Sequence, residues 1–158
     1  MNTPNASQPN IRFKLELPDA PVLARIDHRL VTQALTNIVK NATEAIAAVP
    51  QADRQRGRIR IFAARENDDV VIDVVDNGIG LPQENRSRLL EPYVTTREKG
   101  TGLGLAIVGK ILEEHGGSIA LLDARAVAHG GRGALMRLTF PHEAQIEQSI
   151  VAPAVAAS

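Results

Sequence analysis

The sequence contains no cysteine, no long apolar run and no excess of charge of either sign. Without cysteine the chain can form neither disulfides nor thiolate metal sites, and we expect it to work in a reducing, cytoplasmic compartment. No apolar run approaches the roughly 20 residues of a transmembrane helix, and no signal-peptide pattern opens the chain. The 18 Lys and Arg balance the 18 Asp and Glu. This balance argues against nucleic acid or an anionic membrane as a partner, and we expect no direct membrane contact.

The composition predicts one globular domain with a polar segment at each end of the chain. Apolar residues make up 44% of the 158 residues and charged residues 23%, which is an ordinary balance for a domain with a single core. Residues 1–10 are polar and contain two prolines, so we expect a flexible lead-in. Residues 142–158 lack a periodic apolar face and are predicted to form a flexible tail. The predicted domain therefore covers residues 11–141.

Apolar residues that alternate with polar ones, or that form short runs, predict five strands. These strands lie at about residues 11–17, 58–63, 70–75, 118–123 and 134–140. In the first of them, Ile11, Phe13, Leu15 and Leu17 alternate with charged residues. The pattern predicts a strand that is buried on one face only.

Two segments have apolar residues at helical spacing. The first helix is predicted to begin after a cap at Asp27 and to end near Ala48, before Pro50. The second is predicted from Leu103 to His115, ended by the two glycines that follow. Because several strands keep a polar face, we expect helices to cover only the other face of a mixed sheet. The predicted fold class is therefore an α/β two-layer sandwich.

The first helix carries a row of polar residues beside its apolar face. Gln33, Asn37, Asn41 and Glu44 follow one another at helical spacing and should lie on one side. Asparagine is unfavourable inside helices, because its amide competes with the backbone for hydrogen bonds. An amide oxygen is also a suitable ligand for Mg²⁺. The row is compatible with a metal site, and a solvated or hydrogen-bonded helix face is the alternative.

Asp76 ends the strand at about 70–75 and begins the run Asp-Asn-Gly-Ile-Gly. By alternation it shares a face with Ile72 and Val74, so its carboxylate should point into the apolar layer, where it needs a partner. The exocyclic amine of adenine would supply a hydrogen-bond donor, whereas guanine presents an acceptor. Gly78 and Gly80 would let the backbone approach a flat ring. A plain strand-ending turn remains the alternative.

A second glycine cluster, Gly100-Thr101-Gly102-Leu103-Gly104, stands immediately before the second helix. Backbone N–H groups at a helix N-terminus bind anions, and Arg97 and Lys99 just upstream could add cationic contacts to a triphosphate. The cluster matches neither the dinucleotide-binding fingerprint nor the P-loop, which requires Gly-Lys-Ser/Thr. A loop without a ligand is the alternative.

Taken in order, these motifs resemble the N, G1, F, G2 and G3 boxes of histidine kinase catalytic domains, within the superfamily shared with gyrase, Hsp90 and MutL. The resemblance covers roughly residues 11–141. Its most specific part is the run EPYVTTREKGTGLGLAIV at 91–108, followed by His115-Gly116-Gly117. The run Asn-Ala-Thr-Glu-Ala-Ile at 41–46 further resembles nitrogen-regulation sensors of the NtrY type.

The resemblance implies a Bergerat-type ATP-binding fold with ATP and Mg²⁺ as cofactors. It implies that Asn41 holds Mg²⁺ with support from Asn37, and that Asp76 binds adenine beside Gly78 and Gly80. It also implies phosphate contacts from Arg97, Lys99, Gly100, Thr101, Gly102, Leu103 and Gly104, beneath an ATP lid at about 82–101. We expect the lid to have little apolar anchoring. Two residues depart from the family pattern, since Tyr93 replaces a commoner phenylalanine and Glu44 replaces a commoner lysine.

The function implied by the resemblance is transfer of the ATP γ-phosphoryl group to a histidine in a two-component system. The acceptor would lie on a dimerisation hairpin absent from this chain, because none of the four histidines fits that role. The chain should therefore be a monomer that binds ATP without phosphorylating itself, and a response regulator would act downstream. An ATPase of the superfamily or a non-catalytic nucleotide-binding docking module is the alternative.

Overall fold

The computed structural model describes residues 10–53, 56–92, 103–124 and 132–141. Its helices and strands are β1 (Ile11–Glu16), α1 (His28–Ala47), β2 (Gly57–Glu66), β3 (Asp69–Asp76), α2 (Gly104–Glu114), β4 (Ser118–Asp123) and β5 (Ala134–Pro141), with short 3₁₀ helices at Gln51–Asp53 and Arg86–Leu90. Every predicted strand and helix is present within a few residues of its expected position. The predicted tail and all but the last residue of the predicted lead-in lie outside the described residues.

The five strands form one mixed sheet in the order β1-β2-β3-β5-β4. β1 runs parallel to β2, and the remaining neighbours are antiparallel. Helix α1 lies against β2 and β3, whereas α2 lies against β4 and β5, so both helices cover the same face. This arrangement confirms the two-layer α/β sandwich.

Helix α1 begins where the sequence predicted. The Asp27 side chain accepts a hydrogen bond from the N–H of Leu30 at 3.1 Å, which satisfies one donor of the first turn. The buried face of the helix consists of Val31, Ala34, Ile38, Ala42, Ala45 and Ile46. Full burial of a side chain the size of Ile38 contributes about 1.5–3 kcal/mol. The helix is therefore held by its apolar face, with the polar row beside it.

The uncovered face of the sheet is stabilised by pairs of charges on neighbouring strands. Arg137 donates two hydrogen bonds to Asp73, at 2.8 and 2.9 Å, and this contact raises the pKa of Arg137. Glu16 accepts from Arg60 at 2.9 Å and pairs with Lys14 at 3.1 Å, and these cations lower the pKa of Glu16. The polar face expected from the alternation of residues is thus an array of ion pairs.

The predicted burial of the apolar face of β1 is wrong. Phe13, Leu15 and Leu17 are 58%, 62% and 63% exposed. Phe13 is paired with Ile59, which is fully buried, so Phe13 and Leu15 do point to the helix-covered side, whereas Leu17 lies just beyond the end of β1. They stay exposed because β1 is the edge strand and the two helices lie over the other four strands.

Candidate functional site

Asp76 is the one buried polar or charged side chain in the described part of the chain, at 4% exposure. It ends β3 and is paired with Ile59 and Ala134, so it lies on the helix-covered face as the alternation predicted. Its Oδ1 atom accepts a hydrogen bond from the N–H of Gly78 at 2.8 Å. This bond fixes the carboxylate at the start of the turn.

The residues after Asp76 are held by contacts to two other elements. The side-chain oxygen of Asn77 accepts from the N–H of Arg58 at 2.8 Å, and its amide donates to the Arg56 carbonyl at 2.9 Å. The N–H of Ile79 donates to the carbonyl of Ala45 in α1 at 3.1 Å. The turn is therefore joined both to the beginning of β2 and to the last turns of α1.

The neighbouring backbone explains why both of these turn positions are glycine. A Cβ on Gly78 would lie 2.5 Å from the carbonyl carbon of Ala45, so glycine is needed for the turn to approach α1. Gly80 has φ +84°, and a Cβ there would lie 3.3 Å from the Gly133 carbonyl oxygen. In turn, a Cβ on Gly133 would collide with the carbonyl oxygen of Asp76. Close packing of the backbone thus requires these glycines before any ligand is considered.

Helix α1 connects this turn to the start of α2. Asn37, Asn41 and Ala45 are spaced four residues apart and lie on one side of the helix. The Asn37 amide donates to the Gly104 carbonyl at 3.3 Å, while Ala45 contacts Gly78 and Ile79. Asn41 is half-buried and lies between them. Eight residues of helix span about 12 Å, which is the length of the candidate site.

The second end of the candidate site is the beginning of α2. The helix begins at Gly104, and Leu103 precedes it without a side-chain cap. A Cβ on Gly104 would meet no atom of the described residues within 4 Å. Arg97, Lys99, Gly100, Thr101 and Gly102, which were predicted to contact phosphates, lie outside the described residues.

The first part of the predicted lid is more firmly anchored than the sequence suggested. Arg86 donates to the carbonyl of Pro82 at 2.6 Å and to Asp123 at the end of β4 at 2.5 Å. Leu89 is buried at 8% exposure, and Leu90 lies beside Gly109 of α2. The expectation of little apolar anchoring is therefore wrong for Arg86–Leu90, whereas Tyr93 and the rest of the predicted lid lie outside the described residues.

Both ring nitrogens of His115 are engaged at the other end of the helix pair. Its Nε2 accepts from the N–H of Asp27 at 2.9 Å, and its Nδ1 lies 2.7 Å from the Ile111 carbonyl. The ring also packs edge-on against Phe140, with centroids 5.9 Å apart. His115 therefore ties α2 to the cap of α1. His28 is exposed at the first position of α1, and His129 and His142 lie outside the described residues.

The sequence patterns did not identify several residues whose contacts determine the geometry of this site. Ala45 and Gly133 provide the backbone against which the turn packs, and the pairing of Arg86 with Asp123 anchors the approach to the lid. For Gly133, a glycine directly before a strand was the one available signal. The partners of Ala45 and Arg86 are distant in sequence, so alternation and spacing could not reveal them.

Residues 26–144 match the family model of the histidine kinase-, DNA gyrase B- and HSP90-like ATPases. The nitrogen regulation protein NtrY of Azorhizobium caulinodans is 64% identical over 135 residues, which are 85% of this chain and 17% of that protein. The sensor histidine kinase ZraS of Escherichia coli is 32% identical over 137 residues, covering 87% of this chain and 27% of that protein. The chain thus spans about a quarter or less of these relatives.

Solved structures of histidine kinases have the same fold. The catalytic domain of the histidine kinase ThkA, in a nucleotide-free form, superposes with a TM-score of 0.68 at 30% identity, covering 85% of this chain and 80% of that one. The mycobacterial sensor histidine kinase MprB gives a TM-score of 0.70 at 23% identity, covering 84% and 83%. The second likeness concerns the fold alone.

Proposed function

The chain belongs to the histidine kinase-, DNA gyrase B- and HSP90-like ATPase family, and we propose that it binds ATP beside the row Asn37, Asn41 and Ala45 and presents the γ-phosphoryl group to a histidine on another domain. It is an ATP-binding catalytic domain of the sensor histidine kinase type. One observation carries the proposal. A single helix face connects the turn that holds the buried Asp76 to the N-terminus of α2, over about 12 Å.

The adenine end of the site would be the turn after β3. Asp76 is buried, and a buried carboxylate is stable only with hydrogen-bond donors around it. The N–H of Gly78 is one such donor, and the exocyclic amine of adenine would be another. The carbonyl oxygen of guanine in the same place would face the carboxylate and be repelled. Gly78 and Gly80 complete the proposed base-binding segment.

The phosphate end would be the start of α2. The helix N-terminus offers backbone N–H groups and a favourable dipole, and no atom in the described part of the chain lies within 4 Å of a Cβ built on Gly104. The sequence places Leu103, Arg97, Lys99, Gly100, Thr101 and Gly102 at or just before this point. We propose that these residues contact the triphosphate, together with the rest of the lid up to residue 101.

The residues of the site can hold a magnesium ion, provided that the nucleotide supplies further ligands. Within the four described ranges, no group of three or more His, Cys, Asp or Glu could hold a metal by itself. Mg²⁺ usually keeps several waters and uses one or two protein oxygens together with substrate phosphates. The half-buried Asn41 would supply that protein oxygen, and the ion would neutralise charge on the phosphates.

Transfer to a histidine is favoured over hydrolysis by the residue one turn before Asn41. Superfamily ATPases place a glutamate there to activate water, whereas this chain has Asn37, and an amide is a poor general base. The Asn37 amide donates to Gly104 and so stabilises the phosphate end instead. In the transfer step the bond from the γ-phosphorus to its bridging oxygen breaks and ADP leaves. A bond to the acceptor imidazole nitrogen forms, with loss of a proton.

The acceptor histidine would lie on a helical dimerisation hairpin outside this chain. His115 is unsuited to that role, because both of its ring nitrogens are engaged. The likeness to NtrY supports nitrogen-regulation signalling through a response regulator. No helix in the described ranges is long and apolar enough to cross a membrane. From the likeness to NtrY we further propose that this domain, residues 11–141, is a monomer on the cytoplasmic side.

The experiment that tests the proposal uses γ-labelled ATP and a separate helical hairpin taken from the Azorhizobium relative. Label should appear on the hairpin only when this chain and Mg²⁺ are both present, and it should be acid-labile, as phosphohistidine is. The chain carrying Asp76→Asn serves as the control for nucleotide binding. Rapid release of labelled phosphate without a hairpin would identify an ATPase, whereas binding without transfer or hydrolysis would identify a docking module.

A further inference from the structure

Arg86 joins the segment that follows the proposed base-binding turn to the end of the sheet. Its Nε atom donates to the Pro82 carbonyl at 2.6 Å, and its Nη2 atom donates to Asp123 at 2.5 Å. The Arg86 side chain is only 20% exposed, so most of it is removed from water. Because the guanidinium group is planar and rigid, these two bonds fix the position of Pro82 relative to the last residue of β4.

Asp123 lies in the same row of the sheet as Asp76. Both aspartates pair with Ala134 of β5, one from each side, and each ends its own strand. Neighbouring strands lie about 4.8 Å apart, so the two aspartates are about 10 Å from each other. The contacts therefore close a ring. It runs from Asp76 through the turn to Pro82, across Arg86 to Asp123, and back through Ala134.

The position of residues 80–84 depends on this ring. Leu81 packs against the hydrophobic core, but apolar contacts are non-directional and do not fix the course of the backbone. Within the four described ranges, no backbone hydrogen bond joins residues 80–84 to another element. A cavity of about 110 Å³ borders the segment, with Gly80, Leu81, Gln83 and Asp123 in its lining. The segment therefore has space to move into if the bonds of Arg86 are lost.

We propose that Arg86 is a positioning residue for nucleotide binding. By holding Pro82 to Asp123, it keeps the preceding turn in the place where the turn contacts the base. Arg86 acts through the turn and does not itself touch the nucleotide. The inference rests on the proposed function, because this turn is the adenine end of the proposed site.

The expected effect of losing Arg86 follows from the cost of ordering the turn. A turn that is held in one position before binding loses little conformational freedom when the base arrives, whereas a loose turn must be ordered by the ligand. The affinity therefore falls when the turn is released. Because the turn contacts the base and not the phosphates, ATP and ADP should lose affinity by the same factor.

The test uses Arg86→Met, which keeps the apolar stem of the side chain and removes its donors. Calorimetry should show that the affinities for ATP and ADP each fall by about fivefold to tenfold. In transfer to the hairpin, KM for ATP should rise by the same factor while kcat is unchanged. Without nucleotide, hydrogen exchange of the Ile79 amide, which is bonded to Ala45, should speed up by about tenfold or more. Adding Asp123→Ala to Arg86→Met should cause no further loss, because both changes remove the same pair.

Arg137→Met is the matched control, because Arg137 forms the same kind of pair with Asp73 on the uncovered face of the sheet. It should change neither nucleotide affinity nor the exchange of the Ile79 amide. If Arg86→Met does not fold, Arg86→Lys replaces it. Lysine keeps the charge but lacks the planar fork, so the same losses are required in smaller measure.

Four outcomes would overturn the positioning role. They are an unchanged affinity of the folded Arg86 variant, an equal loss in Arg137→Met, a loss for ATP without a loss for ADP, and a further loss on adding Asp123→Ala. In each of these cases the native chain still binds ATP, so the proposed function stands. Failure of the native chain to bind ATP would instead overturn the proposed function, and this inference with it.

Discussion

The Asn37 side chain donates to the carbonyl of Gly104 at 3.3 Å, and this contact joins the polar row of α1 to the first residue of α2. It fixes the spacing between the proposed adenine and phosphate ends, because Ala45, about two turns further along α1, contacts Gly78. Gly78 and Gly104 are 26 positions apart in the sequence, yet both contact the same helix. The effects of substitutions at the two ends can therefore be separated.

Gly104→Ala should weaken ATP binding by about tenfold without destabilising the fold. Among the residues that the structure describes, none has an atom within 4 Å of a Cβ built there, and alanine is favoured over glycine in helices by about 1 kcal/mol. The new methyl group would enter the space proposed for phosphate. Gly109→Ala is the matched control in the same helix, because its Cβ would make an ordinary contact of 3.8 Å with Leu90. Equal ATP affinity of the two variants in calorimetry would contradict the phosphate assignment.

Asp76→Asn should lower the affinity for ADP and ATP by roughly 10–100-fold, the range expected for loss of a hydrogen bond to a charged group. The variant should fold normally, because the amide oxygen can still accept from Gly78. Asp73→Asn is the control, with the same change on the uncovered face of the same strand. For the unmodified chain, calorimetry should show a higher affinity for ATP than for GTP. Equal affinities would rule out adenine recognition by Asp76.

Asn41→Ala should remove the Mg²⁺ dependence of ATP binding. The ion would retain phosphate and water ligands but lose its protein oxygen, so the affinity measured with Mg²⁺ should fall to the value measured in EDTA. Gln33→Ala, an exposed residue further along the same polar row, should leave the Mg²⁺ effect intact. A persistent Mg²⁺ effect in Asn41→Ala would exclude this residue as a ligand.

Stability should depend on the charge of Glu16 in acid. Its folded-state pKa is lowered by Arg60 and Lys14, so its stabilising contribution is present above the unfolded value of 4.5 and is lost as pH falls below it. The native chain should therefore have a higher urea midpoint than Glu16→Gln at pH 7, and this difference should vanish at low pH. High salt should reduce it at pH 7. A difference that grows on acidification would contradict the pairing.

The sequence predicted the order of the strands and helices, the face on which Asp76 lies and the cap at Asp27, because each depends on local spacing. It could not predict that Gly78 packs against Ala45 or Gly133 against Asp76, since these contacts depend on how distant segments meet. The exposure of Phe13 was missed for the same reason. Alternation shows that a strand has an apolar face, but only the neighbouring elements determine whether that face is covered.

The parallel pairing of β1 with β2 also bears on how the domain folds. β2 and β3 are joined directly and can pair as soon as both exist, whereas Ile11 can reach Gly57 only after α1 has brought the chain back. Contacts between distant residues carry a larger entropic cost of loop closure and usually form late. We therefore expect the amino-terminal strand to join the sheet last during folding and to detach first under force.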